Sequence, residues 1–392
     1  MSAAVSETIT DVPVTGTYQS GFERVREVFV RNLINGQDLG ASVAIYIDGE
    51  PVLDLWGGFF DTGRRRIWER HTIVNNFSTT KTMTALSALV LADRGELDLE
   101  APVKKYWPEF AQNGKDDVLV RHFLGHTSGL PGWTEPVTVE DIENREKAAT
   151  LLARQAPWWK PGTQIGYHAL TFGPLIGEVV RRVSGKTLGQ FFADEIAGPL
   201  GSDYHIGTGP EHDHRVAPMV AATDIRPRRG DGTITDRVFF NPYITPEIAS
   251  TVAWRRAEMG GSNGHGNARS VAAAQSVVAC GGTVRGVRLL SEAGCLRSME
   301  LQADGADLVC GYPLRWGMGY GLNSPIIVKG YGPLLEGRRI AFWGGAGGSI
   351  IVNDFDARMT VAYVMNTHRE HGGVDPRGLE IVRAAYESIT NR

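Results

Sequence analysis

Cysteine is scarce in this chain: three among 392 residues. Cys280, Cys295 and Cys310 fall in no metal-ligand spacing and leave an odd thiol. A disulfide-stapled scaffold and a cysteine-held metal are both excluded, and buried or free thiols in a reducing compartment fit. Long apolar runs are also missing, since none approaches the ~20 residues needed to cross a bilayer. The opening MSAAVSETITDVPVTG has neither the basic start nor the continuous apolar core of a secretory signal. The expectation is a cytoplasmic protein without a membrane partner. No basic tract is present either. Net charge is −4 with both signs scattered along the chain, which argues against nucleic acid as a partner. Repeats and low-complexity linkers are absent.

What is present is an ordinary globular composition, 42% hydrophobic and 21% charged, in a chain long enough for one or two substantial cores. The one excess is glycine, 48 residues, many in pairs and short clusters that mark tight turns and close backbone approaches. The first regular element expected is a helix over residues 21–35, with Phe22, Val25, Phe29 and Leu33 as its apolar stripe. Two β-rich runs follow, ASVAIYI (41–47) and PVLDLW (51–56), joined across Asp48-Gly49, a strong hairpin signal. A third strand leads toward Ser78. From roughly residue 85 to 250 helical patterns dominate, over 82–94, 139–156, 170–183 and 188–197. Another helix starts past Asn267 as N-cap and stops at Gly281-Gly282. Strand patterns then return at 316–322, 339–343, 349–353 and 359–365, and a helix over 376–389 closes the chain.

Strands at both chain ends around a helical middle predict an α+β fold. One antiparallel sheet is flanked by N- and C-terminal helices, with a mainly helical domain inserted. The boundaries expected are residues 1–85 and 251–392 for the sheet domain and 86–250 for the helical one, with a cleft between them.

Chemistry points first to Asn76-Phe77-Ser78-Thr79-Thr80-Lys81. An apolar, strand-like entry (Ile73, Val74) leads in, and Met83, Leu86, Leu89 and Val90 follow at helical spacing. Ser78 then sits at a helix start, where unpaired N–H groups gather. Lys81 is one turn on, on the same face. A partly desolvated lysine can be neutral and take a proton from a serine, making it a nucleophile. Serine and lysine are both common, so this pair alone recurs by chance. Tyr167 lies on a sharply turned loop, Pro161-Gly162-Thr163-Gln164-Ile165-Gly166-Tyr167, at a helix start. It reads either as a packing residue with a wet hydroxyl or, beside the Lys81 ammonium, as a phenolate general base. Trp343-Gly344-Gly345-Ala346-Gly347-Gly348 reads either as a glycine-rich turn or as an edge along which a substrate lies, with Ala346 offering an oxyanion donor. His126, followed by Thr-Ser-Gly, reads as a hydrogen-bonded loop histidine more than as a base.

Together these segments resemble the serine β-lactamase-like superfamily. Ser78-x-x-Lys81, the His126-Thr-Ser-Gly-Leu run, the Pro161-Gly162…Tyr167 turn and the Trp343-Gly-Gly strand occur in that superfamily's order and spacing. The chain looks most like the family VIII carboxylesterases, which are similar to class C β-lactamases and D,D-peptidases, and the resemblance runs from the hairpin at Ala41 to the closing helix. It implies a β-lactamase/transpeptidase-like fold, Ser78 as nucleophile, Lys81 and Tyr167 as activating partners, and no metal or organic cofactor. Ser78 and Ala346 would hold the oxyanion, and Trp343, Gly344 and Gly345 would line the substrate.

Two departures matter. The lactamase Tyr-x-Asn is here Tyr167-His168-Ala169, and the Lys-Thr-Gly strand is replaced by Trp343-Gly344-Gly345. The first deletes an amide and the second a carboxylate-binding cation, which directs the site toward small uncharged esters. Trp133, Trp158 and Trp159 lie on loops near the same motifs, and some of them are expected to line the cleft. Acyl transfer to another alcohol or amine, β-lactamase or peptidase action, and a silent penicillin-recognising sensor are the alternatives. Homo-oligomerisation is left open.

Overall fold

A computed structural model of the chain describes residues 2–222, 232–369 and 375–390. Its first regular elements are two strands that the sequence reading does not foresee, β1 (Ser2–Ile9) and β2 (Val12–Gln19). Their runs mix polar residues with Pro13 and Gly16, and the Thr10-Asp11 turn between them takes left-handed angles (φ 48° and 66°) with no glycine to announce it. Then come α1 (Glu23–Ile34), β3 (Gly40–Ile47) and β4 (Glu50–Gly58), with the predicted hairpin turn at Asp48-Gly49 (φ 52° and 81°). The run before Ser78 is shorter than expected. Only Val74–Asn75 is a strand, and it pairs with Gly264–Gly266 in a small separate sheet, outside the main one.

The helix α2 (Thr80–Asp93) follows. Residues 139–156, expected as one helix, form two, Val139–Glu143 and Arg145–Arg154. Asn144 breaks them: its backbone is extended (ψ 99°) and its side chain accepts the Lys147 N–H at 3.0 Å, starting the second helix afresh. The run 188–197 splits similarly into an α-helical Leu188–Phe192 and a wider π turn, Ala193–Ala197. Between these lies α3 (Phe172–Ser184), and further on α4 (Ala268–Ala279), which Asn267 caps by accepting the Ser270 N–H at 3.0 Å. The last strands of the main sheet are β5 (Ala303–Ala306), β6 (Pro313–Trp316), β7 (Gly321–Leu322), β8 (Ile340–Gly344), β9 (Ile350–Asp354) and β10 (Met359–Met365), and α5 (Pro376–Thr390) is the last described helix. The single strand expected over 316–322 is instead the end of β6, a tight turn in which Gly317 N–H donates to the Tyr320 carbonyl at 2.8 Å, and β7.

All ten strands form one antiparallel sheet in the order β1-β2-β4-β3-β10-β9-β8-β7-β6-β5. The two ends of the chain meet at the β3–β10 pair. Because β3 is covered on both faces, it reads as a continuous apolar run and not an alternating one. On one face Ser42 Oγ accepts the Ala268 N–H of α4 at 3.0 Å. On the other, Tyr363, paired with Val43, donates to Asp38, which Arg377 of α5 also binds at 2.6 Å. The helix α2 packs against α3 and α4. Among the described residues no helix is long and apolar enough to cross a membrane.

One close approach fixes the entry to α3. A Cβ on Gly173 would lie 1.3 Å from the Met259 carbonyl oxygen and 2.6 Å from the Gly261 nitrogen. Gly173→Ala should therefore destabilise the fold by about 3 kcal/mol or more, because backbone has to move. Denaturant unfolding checks this, and an unchanged midpoint would contradict it.

Candidate active site

Residues 72–77 and 79–91 are buried, and Ser78 between them is partly exposed. The chain achieves this with a sharp reversal. Phe77 is held at φ 44°, a left-handed conformation that costs a non-glycine residue about 1–3 kcal/mol, and its ring packs edge-on against His368 at 5.2 Å. The N–H groups of Thr79, Thr80 and Lys81 then donate to the carbonyls of Asn76, Phe77 and Ser78, so the first turn of α2 winds around the serine.

Lys81 is fully buried. Its Nζ lies 3.1 Å from Ser78 Oγ and donates to the carbonyls of Ala169 and Gly261, each at 2.7 Å. The Tyr167 and Phe172 rings are its other neighbours, at 4.9 and 5.8 Å. None of these partners carries a negative charge. Burial therefore holds the amine well below the ordinary lysine value of 10.5, with Cys310 acting weakly the other way. A neutral amine has two N–H bonds for the two carbonyls and a lone pair left for Ser78.

Tyr167 Oη donates to Ser78 Oγ at 2.6 Å. The phenolate considered from the sequence is not its resting form. Burial pushes the hydroxyl above its ordinary 10.0, opposed by the Ser78 contact and by the Trp343 indole N–H. Lys81, whose own pKa is lowered by burial, does not reverse this.

Trp343 is only 3% exposed, stacked on Trp316 at 4.9 Å and tilted against Tyr167 at 5.8 Å. It supports Tyr167 and offers little open wall. Gly344 and Ala346 are exposed and Gly345 half-buried. The turn from Gly345 is closed by Gly348 N–H donating to the Gly345 carbonyl at 3.0 Å. It docks tightly on the serine loop: a Cβ on Gly345 would meet the Asn76 carbonyl oxygen at 2.3 Å, and Ser349 Oγ donates to that same carbonyl at 2.9 Å. Ser78, Lys81, Tyr167 and Trp343 are thus gathered in one cluster, and Gly345 docks beside them with Gly344 and Ala346 as its chain neighbours.

His126 is a buried loop histidine whose Nδ1 accepts the His168 N–H at 3.0 Å. Burial keeps it neutral, far below 6.5, and no hydrogen bond joins it to Ser78. Of the three tryptophans, some of them expected at the cleft, Trp133 is core, 2% exposed with its N–H on the Ala148 carbonyl. Trp158 shares an apolar cluster with Tyr167, Ala169 and Val238, and Trp159 packs on Gly166. Sequence reasoning missed the carbonyls of Ala169 and Gly261, which no side-chain motif can announce, although the Gly260-Gly261 pair hints at a close approach. It also missed Asp307, which accepts the Tyr167 N–H from 140 residues away.

A beta-lactamase family model matches residues 25–385. Among curated proteins, the esterase/beta-lactamase LipL of Mycobacterium tuberculosis is 32% identical over 351 residues, 83% of this chain and 77% of that one. A crystal structure of a family VIII carboxylesterase superimposes with a TM-score of 0.89 at 40% identity, over 96% of this chain and 99% of the other. A penicillin-binding protein homologue from Caulobacter crescentus also reaches 0.89, at 36% identity over 96% and 99%.

The lowered Lys81 value has a direct readout. Inactivation by an uncharged serine-directed phosphonate should slow as acid protonates Lys81 and should reach its plateau well below pH 10.5. A rate still climbing through pH 10.5 would mean that the amine is not desolvated.

Proposed function

Since the chain belongs to the beta-lactamase family, we propose that it is a serine carboxylesterase acting on small uncharged esters through an acyl-enzyme on Ser78. One observation carries this: Ser78 Oγ stands between a fully buried Lys81 amine at 3.1 Å and the Tyr167 hydroxyl at 2.6 Å.

In this reading neutral Lys81 takes the Ser78 proton as Oγ attacks the ester carbonyl. The N–H groups of Ser78 and Ala346 hold the oxyanion, donors that are worth ~3–4 kcal/mol each when removed. Tyr167 passes its proton to the departing alcohol. The enzyme is left acylated, with a Lys81 ammonium beside a Tyr167 phenolate. That charge pair makes the phenolate tenable for one half-reaction only. Tyr167 then draws a proton from the attacking water, the acyl–Ser78 bond breaks, and Lys81 returns its proton to Ser78. Both partners end neutral, as they began, and the proton count closes.

Substrate choice follows from the polar groups the site lacks. Trp343 stands where the lactamase pattern has a carboxylate-binding lysine, and Ala169 contributes a carbonyl to Lys81 where that pattern has an asparagine side chain. Gly344 is exposed, and a Cβ there would meet nothing closer than the Ser349 carbonyl oxygen at 3.7 Å. Protein packing does not demand glycine at that position. A substrate lying along the end of β8 does. We assign the cleft to the junction between a sheet domain (1–85 and 251–392) and an inserted helical domain (86–250). The three free thiols, two of them buried, favour the cytoplasm.

Hydrolysis of p-nitrophenyl acetate or butyrate should exceed that of a penicillin or a D-Ala-D-Ala peptide by at least about a hundredfold in kcat/KM, or ~3 kcal/mol. A penicillin carboxylate desolvated without a partner is penalised on this scale. Equal efficiency on a penicillin would overturn the ester assignment.

A further inference from the structure

Gly166, Tyr167 and His168 present three consecutive backbone N–H groups, and two distant segments take all three. The Gly166 N–H donates to the His126 carbonyl at 3.0 Å, the Tyr167 N–H to Asp307 Oδ1 at 3.2 Å, and the His168 N–H to His126 Nδ1 at 3.0 Å. We propose that His126 and Asp307 are positioning residues that clamp the Tyr167 loop and so hold its hydroxyl on Ser78, an inference that rests on Tyr167 being the proton carrier.

His126 is a poor choice for stability alone. It is held at φ 57°, a left-handed conformation that only a few per cent of non-glycine residues adopt. Because Nδ1 accepts a hydrogen bond, the neutral ring carries its proton on Nε2, and that buried nitrogen has no hydrogen-bond partner among the described residues. An unpaired buried donor is a net loss to folding. The gain is local to Tyr167. His126 brackets the tyrosine, its carbonyl taking the Gly166 N–H and its imidazole the His168 N–H, and the imidazole lies edge-on to the tyrosine ring at 5.3 Å.

Asp307 does the complementary work. It is 1% exposed, and besides the Tyr167 N–H its Oδ1 accepts those of Val309 and Cys310, both at 2.9 Å. Its Oδ2 accepts the indole N–H of Trp316 at 3.2 Å. Trp316 is the ring on which Tyr167 stacks, 6.2 Å between centroids and 16° between planes. One carboxylate therefore fixes the tyrosine's backbone and the surface its ring rests on. Tyr167 sits on a loop, and loops are mobile unless tied down. A displacement of ~1 Å at a reacting group can cost about a hundredfold in rate.

The test is a pair of mutant cycles on the full-length enzyme, with p-nitrophenyl butyrate as substrate and a thermal midpoint to confirm folding. His126→Ala and Asp307→Ala are made in the wild-type and Tyr167→Phe backgrounds. In the wild-type background each should lower kcat by about ten- to a hundredfold, with KM changed less than about twofold. In the Tyr167→Phe background each should change kcat less than about twofold, because the group being positioned is gone. His126→Asn should recover most of the His126→Ala loss, since its amide oxygen replaces Nδ1 and asparagine tolerates the left-handed backbone. Equal losses in both backgrounds, or no loss in the wild-type one, would overturn the clamp. Should an alanine variant not fold, Asp307→Asn carries the same comparison. Its new amide N–H must oppose one of the donors around it, so a loss of at least about threefold confined to the wild-type background supports the clamp. No loss, or an equal one in both backgrounds, overturns it. A Tyr167→Phe enzyme with wild-type kcat would instead refute the role of Tyr167 itself.

Discussion

A lysine amine buried without an anion is the constraint on which the site depends. Among the described residues no anion faces Lys81: its polar contacts are the carbonyls of Ala169 and Gly261 and the Ser78 hydroxyl. Desolvation lowers its pKa and favours the neutral amine, in contact with the partly exposed Ser78. The same burial protonates Tyr167 at rest, so that a donor and an acceptor of protons flank Ser78. The acid–base assignment needs no bound ion to explain it.

Much of the surrounding fold serves to bring those carbonyls in. Gly261 reaches Lys81 because the 259–261 segment lies directly on α3, against a glycine that has no Cβ to hold it off. Thr84 Oγ1 adds a second anchor by donating to the Gly260 carbonyl at 2.5 Å. On the sheet side, β8 and β9 end in the turn at Gly345, which is seated on the Asn76 carbonyl and fastened by Ser349. The sheet supplies that edge, the loops at 166–169 and 259–261 supply Tyr167 and Lys81's acceptors, and Ser78 lies beside them.

Features with local signals were legible in the sequence. The β3–β4 hairpin was written in Asp48-Gly49, and the start of α4 in Asn267, whose side chain is the cap. Ser78, Lys81 and Tyr167 were legible as a pattern of side chains. What escaped depends on distant backbone. The β1–β2 pair lacks a glycine turn, and the helix break at Asn144 looks in sequence like one more polar position on a continuing helix. Trp133 and Trp158 carry the same loop signature, yet one donates to the Ala148 carbonyl in the core and the other to Thr134 at the surface. Periodicity does not encode which way an indole turns. Asp307 was invisible because its meaning is a contact with Tyr167 across the fold.

The central claim is that Ser78 carries the acyl group. Its most direct test is rapid acid quenching of the enzyme during turnover of p-nitrophenyl butyrate, followed by intact-mass measurement and peptide mapping. The account predicts one added butyryl group per chain, located on the peptide containing Ser78 and absent from Ser78→Ala. A butyryl group on any other residue, or turnover by Ser78→Ala at the wild-type rate, would contradict it.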